Sequence, residues 1–339
     1  MYRSKAPLRI GLAGGGTDVS PYCDMYGGAV LNATISLYAH ANIEPAETDT
    51  ITITAADRGE QEQYPLQDNL PITGHLDLAK GAYNHITAKY GKVPSGFTLT
   101  TTVDAPAGSG LGSSSTLLVA IIGAFKEWLQ LPLGEYDIAH IAYEIEREEL
   151  AMAGGKQDQY SATFGGVNFM EFYADDRVIV NPLPLKKEIL FELGNNLLLY
   201  FTATSRLSST IIEAQTKNVK DNNKQSIEAM HQLKKQAEMM KEALLKGKVD
   251  NVGPLLDFGF RYKKQMAADI SNTALDKIYE TALAHGATGG KITGAGGGGF
   301  MMFYCPGNTR YAVGEALKQS GGELNRYDIT EQGLFTWTK

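Results

Sequence analysis

Two cysteines in 339 residues, Cys23 and Cys305, are too few and too far apart for a disulfide framework, and neither sits in a CxxC pair. Six scattered histidines show no HxxxH spacing, so the usual signature of structural zinc is missing as well. Basic charge is in deficit: 31 lysines and arginines against 38 acidic residues leave a net charge of −7. That balance excludes a broad nucleic-acid-binding face but permits a small basic pocket for an anionic metabolite. No apolar run approaches a membrane span, and the opening MYRSKAPLRIGLAGGG has too short an apolar stretch for a secretory signal. The expectation is a reduced, cytoplasmic protein without nucleic-acid or membrane partners, a monomer or a homodimer. Repeats and low-complexity tracts are lacking.

What is present is an ordinary globular composition, 43% hydrophobic and 20% charged, in a chain long enough for two domains. The runs LYAHANIEP, TITITAAD and GFTLTTTVDAP read as strands, with DLAKGAYNHITAKYG a helix among them. From Ser113, Leu118, Ile121, Ile122, Phe125 and Leu129 recur at helical spacing, and EYDIAHIAYEIEREELAM reads as a second helix burying Ile138, Ile141 and Ile145. VNFMEFYA and RVIVNPLPL follow as strands, and the proline-flanked stretch 182–187 marks a domain boundary. Beyond it come the strand NLLLYFTAT, a long amphipathic helical region to residue 248, the helix NTALDKIYETALAHG, the strand FMMFYC and a last helix. The class is α+β, with domains at 1–186 and 187–339.

Glycine, at 37 residues, is plentiful and clustered at 14–16, 108–112 and 294–299. The third cluster contains GxGxxG at Gly294, Gly296 and Gly299, but it leads into a strand, whereas a dinucleotide-binding fingerprint leads into a helix. The second, PAGSGLGSSS, does open a helix, whose free N–H groups form an anion site. It ends Gly112-Ser113-Ser114-Ser115 without the lysine of the common phosphate loop.

APLRIGLAGGGTD, PAGSGLGSSS and KITGAGGGGF, in this order along nearly the whole chain, resemble the three motifs of the GHMP kinase superfamily. PLRIGLAGGGTD followed by GGKQDQYSATFGG is most similar to its D-glycero-D-manno-heptose 7-phosphate kinase branch, with L-fucose kinases as neighbours. The resemblance implies an N-terminal domain like ribosomal protein S5 domain 2, a C-terminal ferredoxin-like domain, and ATP and acceptor in the cleft between them. Residues Gly108, Ser109, Gly110, Leu111, Gly112, Ser113, Ser114 and Ser115 would then wrap the ATP phosphates. Ser114, with Ser113 as its near alternative, would reach Mg²⁺. A glutamate on the helix before the family's catalytic aspartate would be the second metal ligand. Glu146 has the galactokinase-like spacing, and Glu148 and Glu149 compete with it.

Asp158 in GGKQDQ matches the family's catalytic aspartate, a proton acceptor or orienter for the attacking hydroxyl. Arg9 stands where an arginine or lysine opens the first motif, able to pair with that carboxylate and to attract charge on the transferring phosphoryl group. On the acceptor side the resemblance implies Gly15, Gly16, Thr17 and Asp18 from the first motif and Gly296 and Gly297 from the third. An acceptor that carries a phosphate also needs cations, for which Lys156 and Arg206 are the candidates. The implied activity is ATP-dependent, Mg²⁺-requiring phosphorylation of the anomeric hydroxyl of a heptose 7-phosphate. The alternatives are L-fucose or another hexose as acceptor, and, in a different class, an idle sugar- or nucleotide-binding sensor.

Overall fold

The computed structural model describes residues 1–204 and 208–339. Seven strands form most of the first sheet: β1 (Tyr2–Ala13), β2 (Gly28–Pro45), β3 (Thr50–Ala55), β4 (Glu60–Pro65), β5 (Phe97–Val103), β6 (Val167–Phe172) and β7 (Val178–Pro182). The second sheet takes β8 (Leu197–Phe201), β9 (Gly289–Ile292), β10 (Phe300–Tyr304) and β11 (Glu323–Asn325), in the order β11-β8-β10-β9 and antiparallel throughout. The last strand, β12 (Phe335–Thr338), returns to pair with β1, so the segment 187–339 lends one strand to the first sheet.

The helices of the first half are α1 (Tyr22–Tyr26), α2 (Asp77–Tyr90), α3 (Ser113–Leu129), α4 (Glu135–Tyr143) and α5 (Gln157–Phe164). Those of the second are α6 (Lys187–Asn196), α7 (Ser208–Lys220), α8 (Lys224–Leu245), α9 (Val252–Lys263), α10 (Thr273–Ala284) and α11 (Thr309–Lys318). None of the described helices is long and apolar enough to cross a membrane.

β2 is the spine of the first sheet. β1 runs along one edge of it, while its first third pairs with β6 and its last with β5 on the other. The α3 side chains Leu118, Ile121, Ile122 and Phe125 pack on this sheet against Ile43, Phe97 and Leu99, and each such buried side chain is worth about 1.5–3 kcal/mol. A second core joins the halves, where Leu8, Ile10 and Leu12 of β1 meet Leu197 and Leu199 of β8 and Phe300 and Met302 of β10. The opposite face of the second sheet, including Leu198, Tyr200, Met301 and Phe303, lies under α10 and α11, as period-two alternation requires.

Two local departures position the site. Pairing of β1 with β2 shifts between Pro7 and Arg9. Proline has no N–H for the ladder, so a break beside it is physically natural. Ala6 packs in the first core and Leu8 in the second, although an unbroken strand puts residues two apart on one face. The other departure follows α4. The stretch expected to continue as one helix to Met152 becomes a π-helical turn over Glu144–Glu149, a form that concentrates at functional sites.

Candidate active site

The three glycine-rich segments, far apart in sequence, meet at one cleft of about 500 Å³ between the halves. The amide of Phe300 donates to the Ser109 carbonyl at 2.9 Å, and the amide of Arg9 to the Leu111 carbonyl at 3.1 Å, so the first and third segments are stitched to the second. The crossing is backbone on backbone: a Cβ on Gly294 would lie 2.6 Å from the Gly110 Cα, which leaves room for no residue larger than glycine. Gly112 begins α3 in the left-handed region at φ 79°, and a Cβ there would sit 3.1 Å from the Asp158 carboxyl carbon. That glycine therefore turns the chain into the helix and lets the carboxylate lie against the turn. The free amides at the start of α3 and the positive end of its dipole face the same space.

Arg9 is almost fully buried and grips Asp158 with two nitrogens, Nε to Oδ1 at 2.7 Å and Nη2 to Oδ2 at 2.8 Å. Its remaining Nη1 donates to the Gly110 carbonyl at 2.7 Å. A fork-shaped pair of this kind fixes orientation as well as charge. Asp158 lies in the first turn of α5, where an anion is favoured. That helix has no side-chain cap of its own; Asp18, from the first motif, supplies one by accepting from the Gln157 amide at 3.1 Å, and its other oxygen accepts from Gly16 N at 3.2 Å. Burial pushes the Asp18 carboxyl up and repulsion from Asp158 adds to this, against the pull of the donated amides.

Of the three competing glutamates, Glu146 is buried at the cleft wall and Glu148 is exposed, while the exposed Glu149 bonds His85 at 2.6 Å. The Glu146 carboxylate accepts from Ser114 Oγ at 2.6 Å, Ser115 Oγ at 2.6 Å and Gln159 Nε2 at 2.7 Å. It and the Ser114 hydroxyl form a pair of hard oxygens beside the helix start.

The remaining expected residues separate. Gly108, Ser109, Gly110, Gly112, Ser113, Ser114 and Ser115 line the cleft, whereas Leu111 turns its side chain into the second core. Gly16 and Asp18 line it too. Thr17 does not: its hydroxyl, with one proton to give, lies within bonding distance of the carbonyls of Gly14 and Ala29 and accepts from the Ala29 amide, so it braces the loop, and Gly15 is half-buried beyond the lining. From the third motif Gly294 and Ala295 reach the cleft, while Gly296 and Gly297 pack against Ile270. The Lys156 ammonium is held by Asp176 at 2.5 Å, with Asp24 at 3.9 Å. Burial opposes its charge, yet that carboxylate outweighs burial and holds it above the ordinary lysine value. Arg206 lies outside the described residues.

Sequence reasoning missed two buried lysines. Lys263, at the end of α9, donates to the Gly294 carbonyl at 2.6 Å and lines the cleft; burial, and then Arg9, push its ammonium down to about 8. Lys291 donates to the Gly11 carbonyl at 2.7 Å, and burial, then Lys263 and Arg9, lower it well below the usual range.

The GHMP kinases N terminal domain family matches residues 77–166, and the GHMP kinases C terminal family matches residues 240–323. The D-glycero-alpha-D-manno-heptose 7-phosphate kinase of Campylobacter jejuni is 47% identical over 335 residues, covering 99% of this chain and 98% of that protein. The chain belongs to the GHMP kinases. As a GHMP kinase it is an ATP-dependent phosphotransferase with the two-domain fold of that family. A crystal structure of a D-glycero-D-manno-heptose 1-phosphate kinase from Bacteroides thetaiotaomicron superposes with a TM-score of 0.86 at 43% identity, covering 100% of this GHMP kinase and 99% of that chain. The L-fucokinase/L-fucose-1-P guanylyltransferase of Bacteroides fragilis is more distant, 26% identical over 88% of this chain and 34% of its own length.

Proposed function

We propose that this GHMP kinase transfers the γ-phosphoryl group of ATP to the anomeric hydroxyl of D-glycero-D-manno-heptose 7-phosphate, giving the 1,7-bisphosphate and ADP. The observation that carries the reaction is the Asp158 carboxylate, clamped by Arg9 beside the amides that start α3. The hydroxyl proton passes to Asp158 as the sugar oxygen forms its bond to the γ-phosphorus and the bond from that phosphorus to the ADP oxygen breaks. Arg9 keeps the carboxylate aimed at the acceptor and places positive charge where the transferring group gains negative charge. The Gly108–Ser115 loop holds the triphosphate through backbone amides, and Asp18 accepts from a sugar hydroxyl.

Ser114 Oγ and Glu146 Oε1, 2.6 Å apart, offer two hard oxygens, which suits Mg²⁺, an ion that takes one or two protein ligands and completes its shell with phosphate and water. When bound, Mg²⁺ neutralises phosphate charge. Ser115 and Gln159 hold the Glu146 carboxylate in place for it.

Identity supports a phosphorylated heptose over fucose as acceptor, 47% against 26%. The names of the two heptose kinases put the acceptor's phosphate at position 7 in one and position 1 in the other. The higher identity belongs to the former. ADP release measured over heptose 7-phosphate, heptose 1-phosphate, free heptose and L-fucose tests the proposal. Turnover with heptose 7-phosphate should exceed all the others, and faster turnover of L-fucose or of the 1-phosphate refutes it.

A further inference from the structure

A second cavity, of about 550 Å³, opens out of the cleft and shares more than half of its lining with it, including Asp18, Arg147, Gly154 and Glu213. Arg147 stands on the π-helical turn next to Glu146, so consecutive residues face the two spaces. Its Nε donates to the Gly155 carbonyl and its Nη1 to the Met152 carbonyl, each at 3.3 Å, and its Nη2 lies 3.4 Å from Glu146. A Cβ on Gly154 would fall 2.2 Å from the guanidinium carbon, so the planar group lies flat on that glycine. Three contacts leave part of a five-donor fork for a ligand.

Across the cavity, α7 presents Lys217 and Lys220, three residues apart and so on one helix face. Both are exposed, and neither has a side-chain hydrogen bond or ion pair among the described residues. The other cation of the lining, Lys156, is already held by Asp176. The carboxylates of the lining are Asp18, which caps α5, and Glu213 and Asp221 of α7 and its end. Two lysines without a carboxylate partner among the described residues, from the second half, thus line one space with Arg147 of the first, whose guanidinium is only partly engaged; that space is continuous with the reaction centre but away from the triphosphate loop.

We propose that this cavity binds the acceptor's own phosphate, held by Arg147 from one side and by Lys217 and Lys220 from the other. The inference rests on the heptose-phosphate reading above. It replaces Lys156 as a phosphate ligand, since an ammonium paired with a carboxylate has little charge left to offer. The phosphate's ligands come from both halves, Arg147 from the first and Lys217 and Lys220 from the second.

The test is steady-state kinetics of Lys217→Gln, Lys220→Gln and the double variant, with heptose 7-phosphate and with free heptose. Both lysines are exposed and outside the catalytic machinery, so the fold should be kept. The KM for heptose 7-phosphate should rise about tenfold or more in the double variant, the loss expected of a charge-assisted contact, with kcat and the KM for ATP within about twofold of wild type. The KM for free heptose should not move. Inorganic phosphate should compete with heptose 7-phosphate in the wild type and lose most of that potency in the double variant. An unchanged KM for heptose 7-phosphate, in an enzyme that does prefer it, overturns the cavity proposal alone. A wild-type preference for free heptose overturns the heptose-phosphate reading, and this inference with it.

Discussion

Asp158 and Arg9 carry a division of labour that substitution can separate. In Asp158→Asn one oxygen still accepts from Arg9, so the fold and the nucleotide site should persist, while the proton acceptor is gone. The kcat should fall by about 10²–10⁴-fold with ATP affinity nearly unchanged, read by single-turnover kinetics and calorimetry. Near wild-type turnover would remove Asp158 from the reaction.

Lys263 makes a different prediction, about pH. Its folded value, about 8, lies below the ordinary 10.5, so the native state binds fewer protons than the unfolded chain between those values. Stability therefore rises with pH across that window, and the cost of a charged buried amine is felt in full below it. At about 1.4 kcal/mol per unit that cost is roughly 3 kcal/mol, partly offset by the bond to Gly294. Lys263→Met should gain stability over wild type at pH 7 and lose most of that gain by pH 10, as denaturant midpoints would record. A gain independent of pH would mean the amine is not strained by burial. Activity should fall, since the cleft loses a cation; a stabilised but slower variant is the pattern of a group kept for function.

At the scale of elements, the start of α3 and the π-helical turn act as one unit through Ser114 and Glu146. Ser114→Ala and Glu146→Gln should each raise the Mg²⁺ needed for half-maximal rate by about tenfold or more, and together by less than the product, because they would share one ion. Glu148→Gln should leave the Mg²⁺ titration unchanged. Multiplying effects in the double variant would mean the two side chains act separately.

Elements differ in how far the sequence announces them. The loops were legible because crossing backbones and positive φ demand glycine, and α3 because its apolar spacing is regular. β4 escaped notice: EQEQYP has no apolar alternation to read, and only pairing with β3 makes it a strand. The π-helical turn was hidden because Ile138, Ile141 and Ile145 keep helical spacing into it. Lys263 looks like an ordinary cation at a helix C-terminus, and only the third motif folding over it makes it buried. Thr17 sits in the first motif yet is spent on loop carbonyls, a difference that composition cannot carry. Pairing of Arg9 with Asp158, 149 residues apart, was reachable only through family likeness.

For the molecule as a whole, the halves are coupled by a common core and by bonds such as Lys291 to Gly11, so the cleft is walled by parts that cannot separate freely. The return of β12 adds an edge strand beside β1 in the first sheet, and it leaves Met1 and Lys339 as neighbours: the Lys339 amide donates to the Met1 carbonyl at 3.0 Å. Joining residues 1 and 339 would therefore span almost no distance. A circular permutant, with these ends fused by a few glycines and the β3–β4 hairpin opened at its exposed tip between Arg58 and Gly59, should fold and keep kcat/KM within about tenfold. Failure of that permutant to fold would mean that the order in which the strands are synthesised, and not only their final neighbours, is needed to assemble the first sheet.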